Sequence, residues 1–224
     1  MTKLSDWEKL LAAESHLQRI LPEAVLVGGT AAALHAQHRC SYDGDHVLED
    51  LRDHFDEILA DLEAVAGWQT ERLQRPVLIL GQLEGIPTGI RQLRRTQPLE
   101  TEIINGLRVP TLKEMARIKA WLLATRYTTR DYLDCVVLYD CLGDDGVCAA
   151  MNSFDTLYKQ LSGASPLVEV SERLGAAEPI DAAEIDLSTY RGLIAPYNKW
   201  EHLKSRGRHY AQILATLILD EYSL

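Results

Sequence analysis

Two carboxylates stand two residues apart in Ser41-Tyr42-Asp43-Gly44-Asp45. If Tyr42 to Val47 is extended, side chains alternate in direction, and Asp43 and Asp45 leave the same face. Two carboxylates on one face can share a divalent ion, and Mg2+ suits the pair where phosphates complete the ligand set. Earlier in the chain, Val25-Leu26-Val27 is a short apolar run of the kind that makes a buried strand. Gly28 and Gly29 then turn the chain, and Thr30 is placed to cap the alanine-rich helix that follows. A helix start presents unpaired N–H groups and a positive dipole end, which suits a phosphate. A phosphate seat followed by an acid pair is what metal-assisted transfer from a nucleoside triphosphate requires. Taken singly, Gly28-Gly29 would serve any tight turn, and the two acids could sit in a polar loop with an Asx turn. In this order and spacing they favour the metal-and-triphosphate reading.

A second group of chemical residues lies in the middle of the chain. Thr111 and Glu114 form a capping-box pattern that opens a helix from Leu112 to about Thr125. Its core stripe is Leu112, Met115, Ala116, Lys119, Leu122 and Leu123, so Lys119 stands where an ammonium is unfavourable unless an anion meets it. It can snorkel, pair with a buried acid, or reach a triphosphate. The next helix, capped by Thr128 or Thr129, carries Asp131 in its first turn, where a carboxylate complements the dipole. Asp134, among Leu133, Cys135, Val136, Val137 and Leu138, is expected to be half buried and to need a cation from Lys119, Arg126 or Arg130. An ion pair that positions Lys119 is its preferred role, ahead of direct chemistry.

The order Gly-Gly-Thr, helix, Arg-x-Ser-x-Asp-x-Asp resembles the nucleotidyltransferase superfamily. Within it, the closest likeness is to the AbiEii/MenT-like group, the toxin half of type IV-style toxin–antitoxin pairs. Gly28, Gly29, Asp43 and Asp45 match the superfamily's first motif, and Arg39 and Ser41 match the group's own version. Lys119 followed by Arg130-Asp131-Tyr132-Leu133-Asp134 matches the group's lysine and its Arg-Asp-x-x-Asp stretch. Gly44 and His46 depart from the pattern, which favours apolar residues there.

The resemblance implies a Mg2+-dependent transfer of a nucleoside monophosphate from an NTP to an acceptor hydroxyl on RNA, tRNA included, or on protein. Asp43 and Asp45 would hold the metal. Gly28, Gly29, Thr30, Arg39 and Ser41 would form the nucleotide's seat, and Lys119 would hold the β- and γ-phosphates. A third carboxylate from a neighbouring strand is also implied, with Glu84 the first choice and Glu100 or Glu102 the others. An antitoxin protein would be a partner. The alternative keeps the fold as a nucleotide- or partner-binding module in which Gly44 and His46 have removed the metal site.

The elements that must position these groups follow from the remaining pattern. Residues 5–20 and Asp50 to Ala66 read as amphipathic helices. Pro76 to Leu80 and Thr88 to Leu93 read as strands, and Glu100 to Ile104 with Leu107 to Val109 flank the hairpin signal Asn105-Gly106. The expected fold is α+β: a nucleotidyltransferase-like mixed sheet flanked by helices, then a smaller helical C-terminal domain. Gly143-Asp144-Asp145-Gly146 is the best boundary, dividing a domain over 1–143 from one over 147–224. Tyr190, Tyr197 and Trp200 are expected in the core of the latter.

With 224 residues, 46% apolar and 25% charged, the chain has the composition of a soluble globular protein of one large or two small domains. A net charge of −10 argues against a general nucleic-acid coat. Arg91, Arg94 and Arg95, with Arg72 and Arg75 before them, form the one concentrated basic run, either a solvated sheet surface or a track for an RNA acceptor. Cys40, Cys135, Cys141 and Cys148 lack Cys-x-x-Cys pairing and read as reduced thiols. Met1 to Glu14 is charged and amphipathic rather than signal-like, and Ile213 to Leu219 is too short to span a bilayer, so a cytoplasmic protein is expected. There is no Gly-x-x-x-x-Gly-Lys-Ser/Thr run, no His-Arg-Asp set and no Gly-x-Ser-x-Gly, which excludes the commonest phosphotransferase and hydrolase motifs.

Overall fold

The computed structural model describes residues 5–95 and 97–221. The chain forms two compact units: one holds the chain up to Leu34 together with Cys40–Thr111, the other His35–Arg39 and the chain from Leu112 on. In the first, α1 (Asp6–Ile20) opens with a reciprocal capping box, in which the Glu8 N–H donates to Ser5 Oγ and the Ser5 N–H to the Glu8 carboxylate. There follow β1 (Val25–Val27), α2 (Gly28–Ala36), β2 (Gly44–Leu48), α3 (Phe55–Glu63), β3 (Trp68–Gln74), β4 (Leu78–Leu83) and β5 (Ile86–Gln92), then the hairpin β6 (Thr101–Ile104) and β7 (Leu107–Pro110). The main sheet has the order β1-β2-β5-β4-β3 and is mixed: β2 and β5 are parallel, the other neighbours antiparallel. Asn105 and Gly106, both at positive φ, turn the β6–β7 hairpin as their sequence predicts.

Register decides what each face of this sheet carries. His46 of β2 lies opposite Leu26 of β1 and Ile90 of β5, and Ile90 lies opposite Ile79 of β4. All four are fully buried. Leu17 from α1 and Phe55, Ile58, Leu59 and Leu62 from α3 join Leu48, Ile79 and Ile90 in one apolar cluster. Each such side chain contributes about 1.5–3 kcal/mol on burial. Asp45 and Val47 alternate with these residues and point to the other, partly open face.

Gly44 belongs to the buried set, and its neighbour explains it. A Cβ there would lie 2.0 Å from Oε1 of Glu14, which is fully buried on α1. Only a residue without a side chain lets α1 press a carboxyl group against β2. The position departs from the apolar pattern because the layer beneath it holds an acid.

Two local expectations differ from the structure, and one strand has no counterpart among them. Thr30 does not cap α2, because the helix begins two residues earlier at Gly28, whose φ is +71°. Helix α3 starts at Phe55 rather than near Asp50, since the Asp50 carbonyl accepts from the Asp53 and His54 N–H groups in a turn. Strand β3 carries no apolar alternation because it is an edge strand exposed everywhere but Trp68.

The second unit is helical, with α4 (Leu112–Arg126), α5 (Thr129–Met151), α6 (Phe154–Leu157), α7 (Pro166–Ala176) and α8 (Trp200–Glu221). Thr128 caps α5 by accepting from the Asp131 N–H. Gly143, in the segment expected to separate two domains, is a kink inside α5 with φ 70° and ψ 170°, and the compact units part at Thr111. Trp200 packs on the buried ring of Tyr132, with centroids 5.3 Å apart, while Tyr190 and Tyr197 are half buried. Among the described residues no helix is long and apolar enough to cross a membrane.

The Gly44–Glu14 approach is open to test by a double-mutant cycle. Gly44→Ala is expected to destabilise the fold by about 1–3 kcal/mol through overpacking. In a Glu14→Ala background the same change should be nearly neutral, as read from urea-unfolding midpoints. Equal losses in both backgrounds would show that the contact does not constrain the strand.

Candidate active site

The first motif forms a continuous arrangement in the sheet unit. Asp43 stands immediately before β2 and Asp45 is the strand's second residue. Asp45 lies beside the start of α2, where a Cβ on Gly28 would be 3.2 Å from both Cβ and Oδ2 of the aspartate. On its other side, a Cβ on Gly89 of β5 would come within 2.8 Å of Asp45 Oδ1. Two glycines thus make room for one carboxylate, and Gly28 also opens the helix whose first N–H groups suit an anion. Two hydroxyls fix Asp43: Ser41 Oγ donates to its Oδ1 at 2.8 Å, and Thr30 Oγ1 donates to its main-chain carbonyl at 2.6 Å. Both Ser41 and Thr30 are buried, so they orient the acid rather than line an open seat.

Across the thickness of β2, Glu14 and His46 form a pair that sequence reading misses. Burial, reinforced by the charges of Asp45 and Asp43, pushes the Glu14 carboxyl up to about 8, while burial pulls the His46 imidazole down to about 3. At neutral pH both are therefore uncharged, which avoids a buried ion pair and its desolvation penalty. Glu14 Oε2 and His46 Nδ1 are 3.4 Å apart, and neither group has a hydrogen-bond partner among the described residues. The spacing of Leu10, Glu14 and Leu17, at i, i+4 and i+7, carries the signal that places Glu14 in a core stripe.

The second motif forms a buried ion cluster in the helical unit. Asp134, fully buried on α5, accepts from Arg39 Nε at Oδ1 and from Arg39 Nη2 at Oδ2, both at 2.8 Å. His38 Nε2 also lies 2.8 Å from Oδ1, and Lys119 Nζ of α4 lies 2.8 Å from Oδ2. Lys119 reaches a second acid, Asp131, at 3.6 Å. Burial alone would raise the Asp134 pKa, but the charges of Lys119 and Arg39 and the bonds from Arg39 and His38 hold it well below the usual carboxylate range. Of the readings open for Lys119, the structure shows pairing with a buried acid: its side chain is 3% exposed and its ammonium is already committed. Arg39, expected at the nucleotide, is likewise turned to Asp134. The cation for Asp134 comes from Arg39, across a long sequence separation, as well as from Lys119.

Other expected residues have different surroundings. Glu84 stands at positive φ in the exposed β4–β5 turn, with His16 Nδ1 2.8 Å from its Oε1. Glu100 and Glu102 lie at and before the β6–β7 hairpin, outside the main sheet. Among the described residues no group of three or more His, Cys, Asp or Glu is placed to hold a metal ion, so neither Glu84 nor the others complete a three-acid set with Asp43 and Asp45. The basic run is not one track. Arg91 faces Asp45, Arg95 donates to the carbonyls of Gln97 and Pro98 in its own loop, and Arg75 pairs with Asp56.

A mixed sheet of order β1-β2-β5-β4-β3 followed by helices is a fold that the chain shares with solved structures. Among solved structures the chain is similar to JHP933 from Helicobacter pylori, with a TM-score of 0.55 and 17% identity over 99% of this chain and 97% of that one. It is similar to an H. pylori protein named for nucleotidyltransferase activity, with a TM-score of 0.51 and 17% identity over 96% and 97% of the two chains. The antibiotic-resistance factor ANT(2'')-Ia matches at a TM-score of 0.50 and 13% identity over 69% of this chain and 94% of its own. At these identities the likeness is one of fold. No protein-family model matches the sequence, and no curated protein does.

Two expectations follow. Asp134→Asn leaves Lys119 and Arg39 facing a neutral amide in the interior, and should destabilise the protein by about 3–5 kcal/mol in urea unfolding. For Glu14, the raised pKa makes its contribution to stability complete below about 4.5 and lost as pH climbs through about 8. His46 works at the acid end: its lowered pKa gives a contribution present above 6.5 and lost as pH falls toward about 3. Between pH 6.5 and 8 only Glu14 of this pair changes charge. The wild type should lose on the order of 2 kcal/mol there relative to Glu14→Gln. Parallel stability curves for the two proteins across that window would refute the assignment of a protonated Glu14.

Proposed function

We propose that the protein is a Mg2+-dependent nucleotidyltransferase that moves a nucleoside monophosphate from an NTP to an acceptor hydroxyl. The observation that carries this reading is the placement of Asp45 against Gly28, with Asp43 fixed beside it by Ser41 and Thr30. Two carboxylates without a third acidic ligand suit Mg2+ taken up together with a substrate's phosphates and water. Asp43 and Asp45 would hold the ion, which when bound neutralises charge on the triphosphate. The N–H groups at the start of α2 would receive phosphate oxygens. In the reaction the acceptor oxygen bonds to the α-phosphorus as the bond to the bridging oxygen breaks, and pyrophosphate leaves together with the hydroxyl's proton.

In this reading Lys119, Asp134 and Arg39 are a buried scaffold for the helical unit rather than groups that touch the nucleotide. Gly44 and His46, which suggest an impaired site when read from sequence, face the core, on the side of β2 opposite Asp45. The toxin role, with an antitoxin partner and an RNA acceptor, rests on the motif resemblance of Arg39, Ser41, Lys119 and Arg130 to Asp134. Arg94 and Arg72 are exposed members of the basic run that an RNA could contact.

The test is incubation with each α-labelled NTP, Mg2+ and either total RNA or protein extract. The wild type should transfer label to one acceptor class, and Asp43→Asn with Asp45→Asn should lose it by more than about 100-fold. Equal labelling by both proteins would sink the assignment of the acid pair.

A further inference from the structure

The Asp45 carboxylate has a cation beside it that the resemblance does not supply. Arg91 of β5 lies opposite Val47 in the parallel β2–β5 register, two residues along the face from the Asp45–Gly89 pair. Because Gly89 has no side chain, the Arg91 guanidinium can lean back across it, and both Nε and Nη2 lie 3.3 Å from Asp45 Oδ1. The contact is long for a charge-assisted hydrogen bond, and both nitrogens address one oxygen instead of forming the two-oxygen fork that Arg39 makes with Asp134. The Arg91 side chain is 43% exposed and that of Asp45 28%. Ion pairs this open contribute about 0–1 kcal/mol, so the guanidinium can be displaced.

We propose that Arg91 is an exchangeable counter-ion of Asp45, one that competes with the divalent metal for this carboxylate and passes to the substrate's triphosphate when the metal takes its place. The inference rests on the assignment of Asp43 and Asp45 as the metal pair. A metal ion drawn to the Asp45 carboxylate competes with Arg91 for the charge of the oxygen that both guanidinium nitrogens address. Once a divalent ion is there, it repels the guanidinium. The anionic group nearest that ion is the phosphate chain it carries, and a planar guanidinium matches phosphate oxygens in pairs. Arg91 would then be a positioning and binding residue whose partner changes between the free and loaded protein.

The experiment uses the full chain and two titrations: Mn2+ alone, followed by electron paramagnetic resonance, and a non-hydrolysable ATP analogue at saturating Mn2+. Arg91→Met keeps the aliphatic stem and removes the charge, so it should bind Mn2+ alone up to about 5-fold more tightly. It should bind the analogue about 10-fold more weakly, through the lost charge-assisted contact. Arg91→Lys keeps the charge, and should stay within about 2-fold of the wild type for Mn2+ alone. General damage to the site would weaken both titrations, so opposite signs separate exchange from a structural role. Unchanged or weaker Mn2+ binding in Arg91→Met, or an unchanged affinity for the analogue, overturns the proposal. Asp45→Asn distinguishes this failure from a failure of the underlying reading. Mn2+ binding that disappears in Asp45→Asn but ignores Arg91→Met removes only the exchange, whereas a wild type whose Mn2+ binding does not depend on Asp45 removes the metal pair and the exchange with it.

Discussion

The two-residue period of β2 is the constraint on which the sheet unit depends. Gly44, His46 and Leu48 face inward, and Asp45 and Val47 face outward. A shift of one residue would bury Asp45 in the apolar cluster and expose His46 and Leu48. Pairing on both sides, antiparallel to β1 and parallel to β5, holds the register. Chemistry on one face and packing on the other are therefore fixed by the same hydrogen-bond ladder. The glycine between the aspartates is the point where the two faces meet the most demanding neighbour, the buried carboxyl of Glu14.

A different principle organises the helical unit. Replacing buried ion pairs with apolar side chains often leaves stability unchanged or raises it, so the Asp134 cluster is not explained by energy alone. Its geometry supplies placement. The Arg39 guanidinium fits both Asp134 oxygens in one orientation, and Lys119 can meet Asp134 and Asp131 only with α4 and α5 side by side in this register. The short segment His35–Arg39 is thereby fastened to helices that follow it by many residues in the chain. Removing a single partner would leave charge without compensation in the interior.

Sequence reading went furthest where a local rule and a tertiary requirement agree. The apolar strand Val25-Leu26-Val27, the hairpin at Asn105-Gly106, and the helices of Leu112–Arg126 and Asp6–Ile20 are set by short-range pattern, and the structure has them close to the expected limits. The α+β class followed from those elements. Edge strand β3 stayed hidden because exposed strands need no alternation, and Gly143 suggested a boundary where a positive φ only kinks α5. In the candidate site, the outward position of Asp45 on a strand was legible, because alternation is a strand property. The partners of the acid pair were not. Arg91 and Gly89 are brought to β2 by the sheet order, and Glu14 by the packing of α1 against the strand. The pairing of Lys119 with Asp134 was legible, since a cation and an acid on neighbouring apolar faces need each other, but the second cation, Arg39, is a tertiary fact.

The middle residue of an Asp-x-Asp strand therefore reports on a different layer from the acids that flank it. A glycine there, read along the chain, looks like a weakened strand; read through the sheet, it records a carboxyl group pressed from behind. That carboxyl feels both aspartates, since their charges help hold its proton. The field that favours a cation on the open face and the field that keeps Glu14 protonated on the closed face are the same field. Any cation placed at Asp43 and Asp45 relieves both, and the arginine at Asp45 does so weakly because it is half in water. On the proposed function, a strand with negative charge on one side, beside the positive end of α2, would take a ligand carrying both signs at once: a divalent ion for the acids and phosphate oxygens for the helix.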